Sequence, residues 1–313
     1  MRPDQEYFHN VYAVQKPLLP KEQEVYDFYQ QNPRLRAERD NMLQNILMEK
    51  YRSVYGGEAV ERDKGVVLRH YKGERVDFNE RGELMEFFIS ESETANWFGG
   101  ECSIHKASKF DDIKNYTDLV FEWEDEKGER AMLAVDCTIS GDEKKLDRKS
   151  EGIMANVYRG KLSSLKYHEN ELSGEKKELL QVPQVLMILG TGEIAELSNI
   201  FSGIIKKEPG AKNEFGNSYI QLVLLKEVKY QLDFQLSEIL KAIAKRKDDK
   251  ARISAQKNIS RVLSVVKELI KEKESSLDST VIQRANDEWE KSLYCQYLRG
   301  IPLKLNRANW DHV

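Results

Sequence analysis

The stretch that most constrains this chain is DLVFEWEDEKGERAMLAVDCTIS, residues 118–140, two apolar runs about a charged turn with an aspartate in each. Aspartate is a poor strand former, and a carboxylate inside a folded core needs something to offset its charge. Glu126-Lys127-Gly128 suits a three-residue hairpin loop, because Gly128 can take the left-handed position that closes such turns. Asp125 then pairs with Glu129, and Asp118 and Asp136 lie directly opposite each other. A two-residue Lys127-Gly128 loop would shift the pairing by one. With the three-residue loop, Asp118, Val120 and Glu122 share a face with Met132, Ala134, Asp136 and Thr138. Leu119, Phe121, Trp123, Leu133, Val135 and Cys137 form the other face, which is core. The aspartate face reads two ways. It is simply solvated, or its opposed like charges call for a cation, either a basic side chain or a divalent metal, with Mg²⁺ the usual ion for carboxylate oxygens.

Composition bounds the rest. The chain has 313 residues, 40% of them hydrophobic, enough for a real core. Lys and Arg number 49 against 53 Asp and Glu, a net charge of −4, so no chain-wide field draws it to nucleic acid or acidic membrane and any such contact is local. Cys102, Cys137 and Cys295 show no CxxC spacing and read as free thiols of a reducing compartment, which makes the cytoplasm the expected location. The N-terminus lacks a signal-peptide core, and the longest apolar run, Val185 to Leu189, is too short to span a bilayer, so no membrane partner is expected. The five histidines lack metal-ligand spacing and receive no role.

Residues 1–81 read as an N-terminal helical arm, with prolines at 3, 17, 20 and 33 and a polar helical stretch stopped by Gly56-Gly57. Residues 82–207 read as an α/β core. ELMEFFISESETANWF is an amphipathic helix that runs to Gly99-Gly100. The hairpin follows, then a helix marked by Leu146, Ile153 and Val157 and closed by Gly160, a strand over KLSSLKYH, a buried strand over VPQVLMILG and a helix over GEIAELSNIFSGII. Residues 208–313 read as a C-terminal helical region beyond an EPGAKNEFGN linker. Two long helices form an antiparallel pair about KRKDDK, with Leu236, Ile239, Leu240 and Ile243 facing Ile259, Val262, Leu263 and Val266, and DEWEKSLYCQYL is a last helix. A stripe of these helices left exposed would make the chain a homodimer.

A helix, a hairpin with an Asp on its first strand and a second carboxylate on the next, then a helix and further strands, resembles the PD-(D/E)xK nuclease superfamily. NYTDLVFEW matches its first-Asp strand and LAVDCTIS its (D/E)xK strand. DDIKNYTDLV followed by LAVDCTIS is also similar to a bacterial branch of that superfamily. The resemblance covers residues 82–207 and implies an α/β fold, a PD-(D/E)xK nuclease-like mixed-sheet core between the helical arm and the C-terminal antiparallel helices. It implies that Asp118, Asp136 and the backbone carbonyl of Cys137 hold Mg²⁺ or Mn²⁺ against a phosphodiester of nucleic acid. The chain departs from the pattern where Thr138 replaces the motif lysine. Some members supply that lysine from the following helix, and here Lys149, three residues after Leu146, lies on the shoulder of its inward face. Superfamily members often place an acidic residue on the preceding helix, which makes Glu91, a heptad after Leu84, the fourth candidate beside Asp118, Asp136 and Lys149.

Other features read more plainly. Asp111-Asp112 shape a turn, Cys137 is a small buried hydrophobe, Lys144 and Lys145 are solvated, and GTGE at 190–193 is a strand-to-helix turn rather than a nucleotide loop. The expected function is a metal-dependent nuclease; the alternative is a non-catalytic scaffold that keeps the nuclease-like fold and binds a partner, or itself, through its long helices.

Overall fold

The apolar runs of the opening hairpin form adjacent antiparallel strands in the computed structural model, which describes residues 17–31, 48–73, 80–124, 129–139, 143–169, 176–245 and 249–291. In chain order the elements begin with α1 (Pro20–Gln31), α2 (Arg52–Tyr55), α3 (Gly57–Gly73), α4 (Glu80–Glu91), β1 (Cys102–Lys106), α5 (Lys109–Asn115), β2 (Leu119–Glu124) and β3 (Arg130–Ile139). They continue with α6 (Glu143–Tyr158), β4 (Ser163–Glu169), β5 (Lys176–Val182), β6 (Gln184–Leu189), α7 (Thr191–Ile205), α8 (Ala211–Gly216), α9 (Ile220–Lys245), α10 (Lys250–Ser276) and α11 (Ser279–Lys291). The main sheet has the order β1-β2-β3-β6, antiparallel except for the β3–β6 pair, and is therefore mixed.

The β2–β3 register pairs Leu119 with Val135, Phe121 with Leu133 and Glu124 with Arg130, the pairing that a three-residue loop demands. The loop itself lies outside the described residues. Leu119, Phe121, Leu133 and Val135 are buried on the core face, as expected. The aspartate face is not solvated: Val120 and Ala134 pack against Leu165 and Val182 of the separate two-stranded sheet β4–β5. Strand β5 carries little signal in the sequence because KKELLQV opens on charged residues and lacks a clean alternation. On the same face Glu122 is 3.5 Å from His168 Nε2 and 3.5 Å from Arg130 Nε, so the buried His168 has a structural role that its spacing did not suggest.

Several boundaries move. The helix expected to reach Phe98 ends at Glu91, where the Ser92 hydroxyl donates to the Ile89 carbonyl and a run of turns begins. Those turns are packed rather than loose: the Trp97 and Phe215 rings pack at a tilt with centroids 4.8 Å apart, and Trp97 donates its indole N–H to the Phe215 carbonyl. Phe215 belongs to α8, which occupies the stretch read as a linker. Gly56 interrupts the helical run at φ +80, but Gly57 opens α3 instead of ending it. Asp111-Asp112 lie on α5, where the buried Asp111 accepts from the backbone N–H groups of Lys166 and Tyr167 and ties α5 to β4.

Helices α9 and α10 pair as expected. The ion pairs Asp233–Lys267 at 3.1 Å and Lys226–Glu274 at 3.6 Å are seven residues apart on each helix in opposite directions, which fixes the antiparallel sense. Ile239, Ile259, Val262, Leu263 and Val266 are buried between them, whereas Leu240 points to solvent. The last helix, α11, begins eight residues earlier than Asp287. Most of the stripe is covered within the chain, with Leu240 and Ile253 exposed. One apolar core runs from Val25 of α1 through the sheet to Ala285 of α11. Among the described residues no helix is long and apolar enough to cross a membrane.

The inward face of α9 also carries Glu227, Gln231 and Gln235, four residues apart and therefore in one row. They satisfy the outer edge of β6. Ile188 N–H donates to Glu227 at 3.2 Å, Gln231 both accepts from Leu186 N–H at 2.9 Å and donates to its carbonyl at 2.6 Å, and Gln235 donates to the Gln184 carbonyl at 2.7 Å. An edge strand under a helix has no water for these groups, so side chains must supply what a further strand would.

Candidate functional site

Asp118 precedes β2 by one residue, where the β2–β3 register ends at Leu119–Val135, and its N–H donates to the Val135 carbonyl. Its carboxylate Oδ2 accepts from the Cys137 N–H at 2.7 Å. Asp136 sits two-thirds of the way along β3, only 3% exposed, across from Leu186 of β6. Helix α6 brings Lys149 back over this strand: its ammonium is 2.6 Å from Asp136 Oδ1 and 3.0 Å from Thr138 Oγ1, and Thr138 Oγ1 donates to the same Asp136 oxygen at 3.2 Å. The residue in the motif-lysine position thus shares a hydrogen-bonded triangle with the lysine from the helix. The side chains of Lys144 and Lys145 lie outside the described residues.

Negative charge is concentrated here. Burial pushes the Asp118 carboxyl well above the ordinary carboxylate range, and Glu86, Asp112 and Asp136 push it further, against the pull of the Cys137 N–H. Burial likewise raises Glu86, which Lys106 partly offsets from 3.6 Å. Glu86 is the helix carboxylate whose charge Asp118 feels. Glu91 is the last residue of α4, where its carbonyl accepts from Thr94. The heptad argument pointed to Glu91 because it lies seven residues after Leu84 on the same helix; Glu86, flanked by buried Met85 and Phe87, carried no separate signal. The Cys137 thiol is pushed up by burial and by the same carboxylates, which suits the inert role expected of it.

The rival GTGE turn carries nothing more. Gly190 caps α7 with an extended backbone, and a Cβ on Gly192 would meet nothing within 4 Å, so no close approach demands that glycine.

Among the described residues no group of three or more His, Cys, Asp and Glu side chains is gathered to hold a metal ion. Mg²⁺ is commonly held by one or two carboxylates with water and substrate phosphate completing the shell, rather than by a closed protein cage. Glu86, Asp112 and Asp136 act on Asp118 as like charges, and such repulsion is what a cation or a basic side chain relieves.

The raised Asp118 gives a signed expectation. A carboxyl whose folded pKa lies above its unfolded value stabilises the fold below about pH 4 and loses that contribution as pH rises through the raised value. Asp118→Asn retains an oxygen to accept from Cys137 and removes the charge. It should match wild type near pH 4 and exceed it at pH 7 by about 1 kcal/mol or more without metal, measured by urea unfolding at both pH values. A variant less stable than wild type at pH 7 would mean that the ionised aspartate is held by partners worth more than its repulsion.

Comparison of the chain with protein-family models, with curated proteins and with solved structures finds no match.

Proposed function

We propose that the chain is a divalent-metal-dependent nuclease of the PD-(D/E)xK type in which Lys149 of α6 replaces the motif lysine that Thr138 displaces. The observation that carries this reading is the contact of Lys149 with both Asp136 and Thr138. A helix, an antiparallel hairpin with a carboxylate on each strand, a second helix and a further strand come in the order that the resemblance requires. Asp118 and Asp136, with the Cys137 carbonyl, would hold Mg²⁺ or Mn²⁺, and Glu86 takes the place first given to Glu91. Such an ion, when bound, polarises a phosphate oxygen and acidifies its water. The chain's own contribution is Lys149, an ammonium two hydrogen bonds away from wandering, which stabilises charge on a phosphate oxygen or orients the attacking water. Nucleic acid is met by local contacts, given the net charge of −4. The free thiols Cys102 and Cys137 suit a cytoplasmic setting.

A second reading has its own observation. The Lys149–Asp136 ion pair neutralises the buried carboxylate without any metal, as a scaffold that had lost catalysis would need. Incubation of wild type with single-stranded DNA, double-stranded DNA and RNA in Mg²⁺ or Mn²⁺ separates the two. The nuclease reading expects cleavage that Asp136→Asn reduces by at least about a hundredfold while its circular dichroism stays native, a loss in the range seen for central electrostatic groups. Absence of cleavage on all three substrates, with no metal-induced rise in melting temperature, leaves the scaffold.

A further inference from the structure

Tyr116 ends α5 in the left-handed region, at φ 51 and ψ 48, a conformation in which L side chains other than Asn and Asp are uncommon. Glycine or asparagine would end the helix there without strain. The residue is 63% exposed, among the most exposed large apolar side chains of the described residues. Its backbone is nevertheless held firmly: the amide of Gln184 donates to the Asn115 carbonyl at 2.8 Å and to the Tyr116 carbonyl at 2.7 Å. Gln184 is itself buried, its carbonyl accepts from Gln235, and it pairs with Ala134, two residues before Asp136. An aromatic ring thus stands in water on a clamped and strained backbone, two residues before Asp118 and tied to the strand beside the one that carries Asp136.

We propose that Tyr116 is a stacking platform for an unpaired base next to the scissile phosphate, so that the substrate of this site is single-stranded nucleic acid. The inference rests on the nuclease reading above. A ring stacks on a base only where that base's face is open, which a duplex interior denies it. Stacking also supplies affinity that a chain of net charge −4 does not gain from a general attraction to phosphate. Clamping the backbone in advance leaves little freedom to lose on binding.

The test is fluorescence anisotropy with a labelled single strand of about 12 nucleotides, within the span of a typical single-strand site, and with the matching duplex. Ca²⁺ stands in for Mg²⁺ during binding, and cleavage is measured separately with Mn²⁺. Wild type should prefer the single strand, Tyr116→Ala and Tyr116→Gly should weaken that binding roughly tenfold, and Tyr116→Phe should keep it. Tyr116→Gly should also melt no lower than wild type, since glycine relieves the left-handed backbone, so stability and binding move apart. Single-strand binding unchanged in the Ala and Gly variants, or a wild-type preference for duplex, overturns the platform while cleavage by wild type leaves the nuclease reading standing. Wild type that neither binds nor cleaves any of the nucleic acids overturns both.

Discussion

Replacing Lys149 with methionine should destabilise the protein by about 3 kcal/mol at pH 7 in the absence of metal. Breaking a buried ion pair by removing one partner costs about 3 to 5 kcal/mol, because it leaves the other charge uncompensated, and the partial exposure of Lys149 puts this case at the lower end. Asp136 would keep only the Thr138 hydroxyl among the three members of the triangle. Added Mg²⁺ or Mn²⁺ should then stabilise Lys149→Met more than wild type, since the ion no longer competes with an ammonium for Asp136 and ligand stabilisation grows with affinity. Cleavage should be lost even though metal is held more tightly. Thr138→Lys added to Lys149→Met returns a lysine to the motif position, two residues after Asp136 on the same face of β3, and should recover part of both stability and cleavage. Urea unfolding with and without metal, beside a cleavage assay, reads all of this. A Lys149→Met protein as stable as wild type would mean that the ion pair adds nothing net to the fold, and a metal response no larger than that of wild type would remove the competition.

The hairpin register was legible because two local signals agreed: a glycine at the third loop position and a strict alternation of apolar residues on the core face. Lys149 was legible for a similar reason, since Leu146 fixed the inward face of α6 and three residues further on the chain is still near it. What covers the aspartate face was not legible. Val120 and Ala134 look the same in sequence whether they meet water or β4–β5, and the covering strand β5 has no pattern of its own. Glu86 was missed because a carboxylate beside buried phenylalanines differs from any surface glutamate only in what lies opposite, and that is set by Lys106, Asp118 and the strands bearing them. Leu240 was assigned inward on a stripe that is wider than the surface α10 covers near the turn.

The second large effect is expected at Gln231, whose place on an apolar helix face looks like a flaw in the pattern until β6 is set beside it. The side-chain amide reproduces what a neighbouring strand would offer to Leu186, one acceptor and one donor. Gln231→Leu preserves volume and adds apolar contact, but strands a buried N–H and a buried carbonyl at about 1 to 3 kcal/mol each, so a net loss of about 2 to 4 kcal/mol is expected in urea unfolding. Gln231→Glu should fall between, because a carboxylate accepts from the N–H and cannot donate to the carbonyl. Leu240→Gln, on the exposed side of the same helix, should change stability by less than about 0.5 kcal/mol and controls for helix propensity. The clamp also reaches the candidate site, because Leu186 is the residue paired with Asp136 across the β3–β6 ladder. Loosening it frees the strand that positions the carboxylate under Lys149, so the variant should lose cleavage beyond what its unfolded fraction explains, measured well below its melting temperature. Stability lowered with cleavage per folded molecule intact would confine Gln231 to the fold and show that β2 alone holds Asp136 in place.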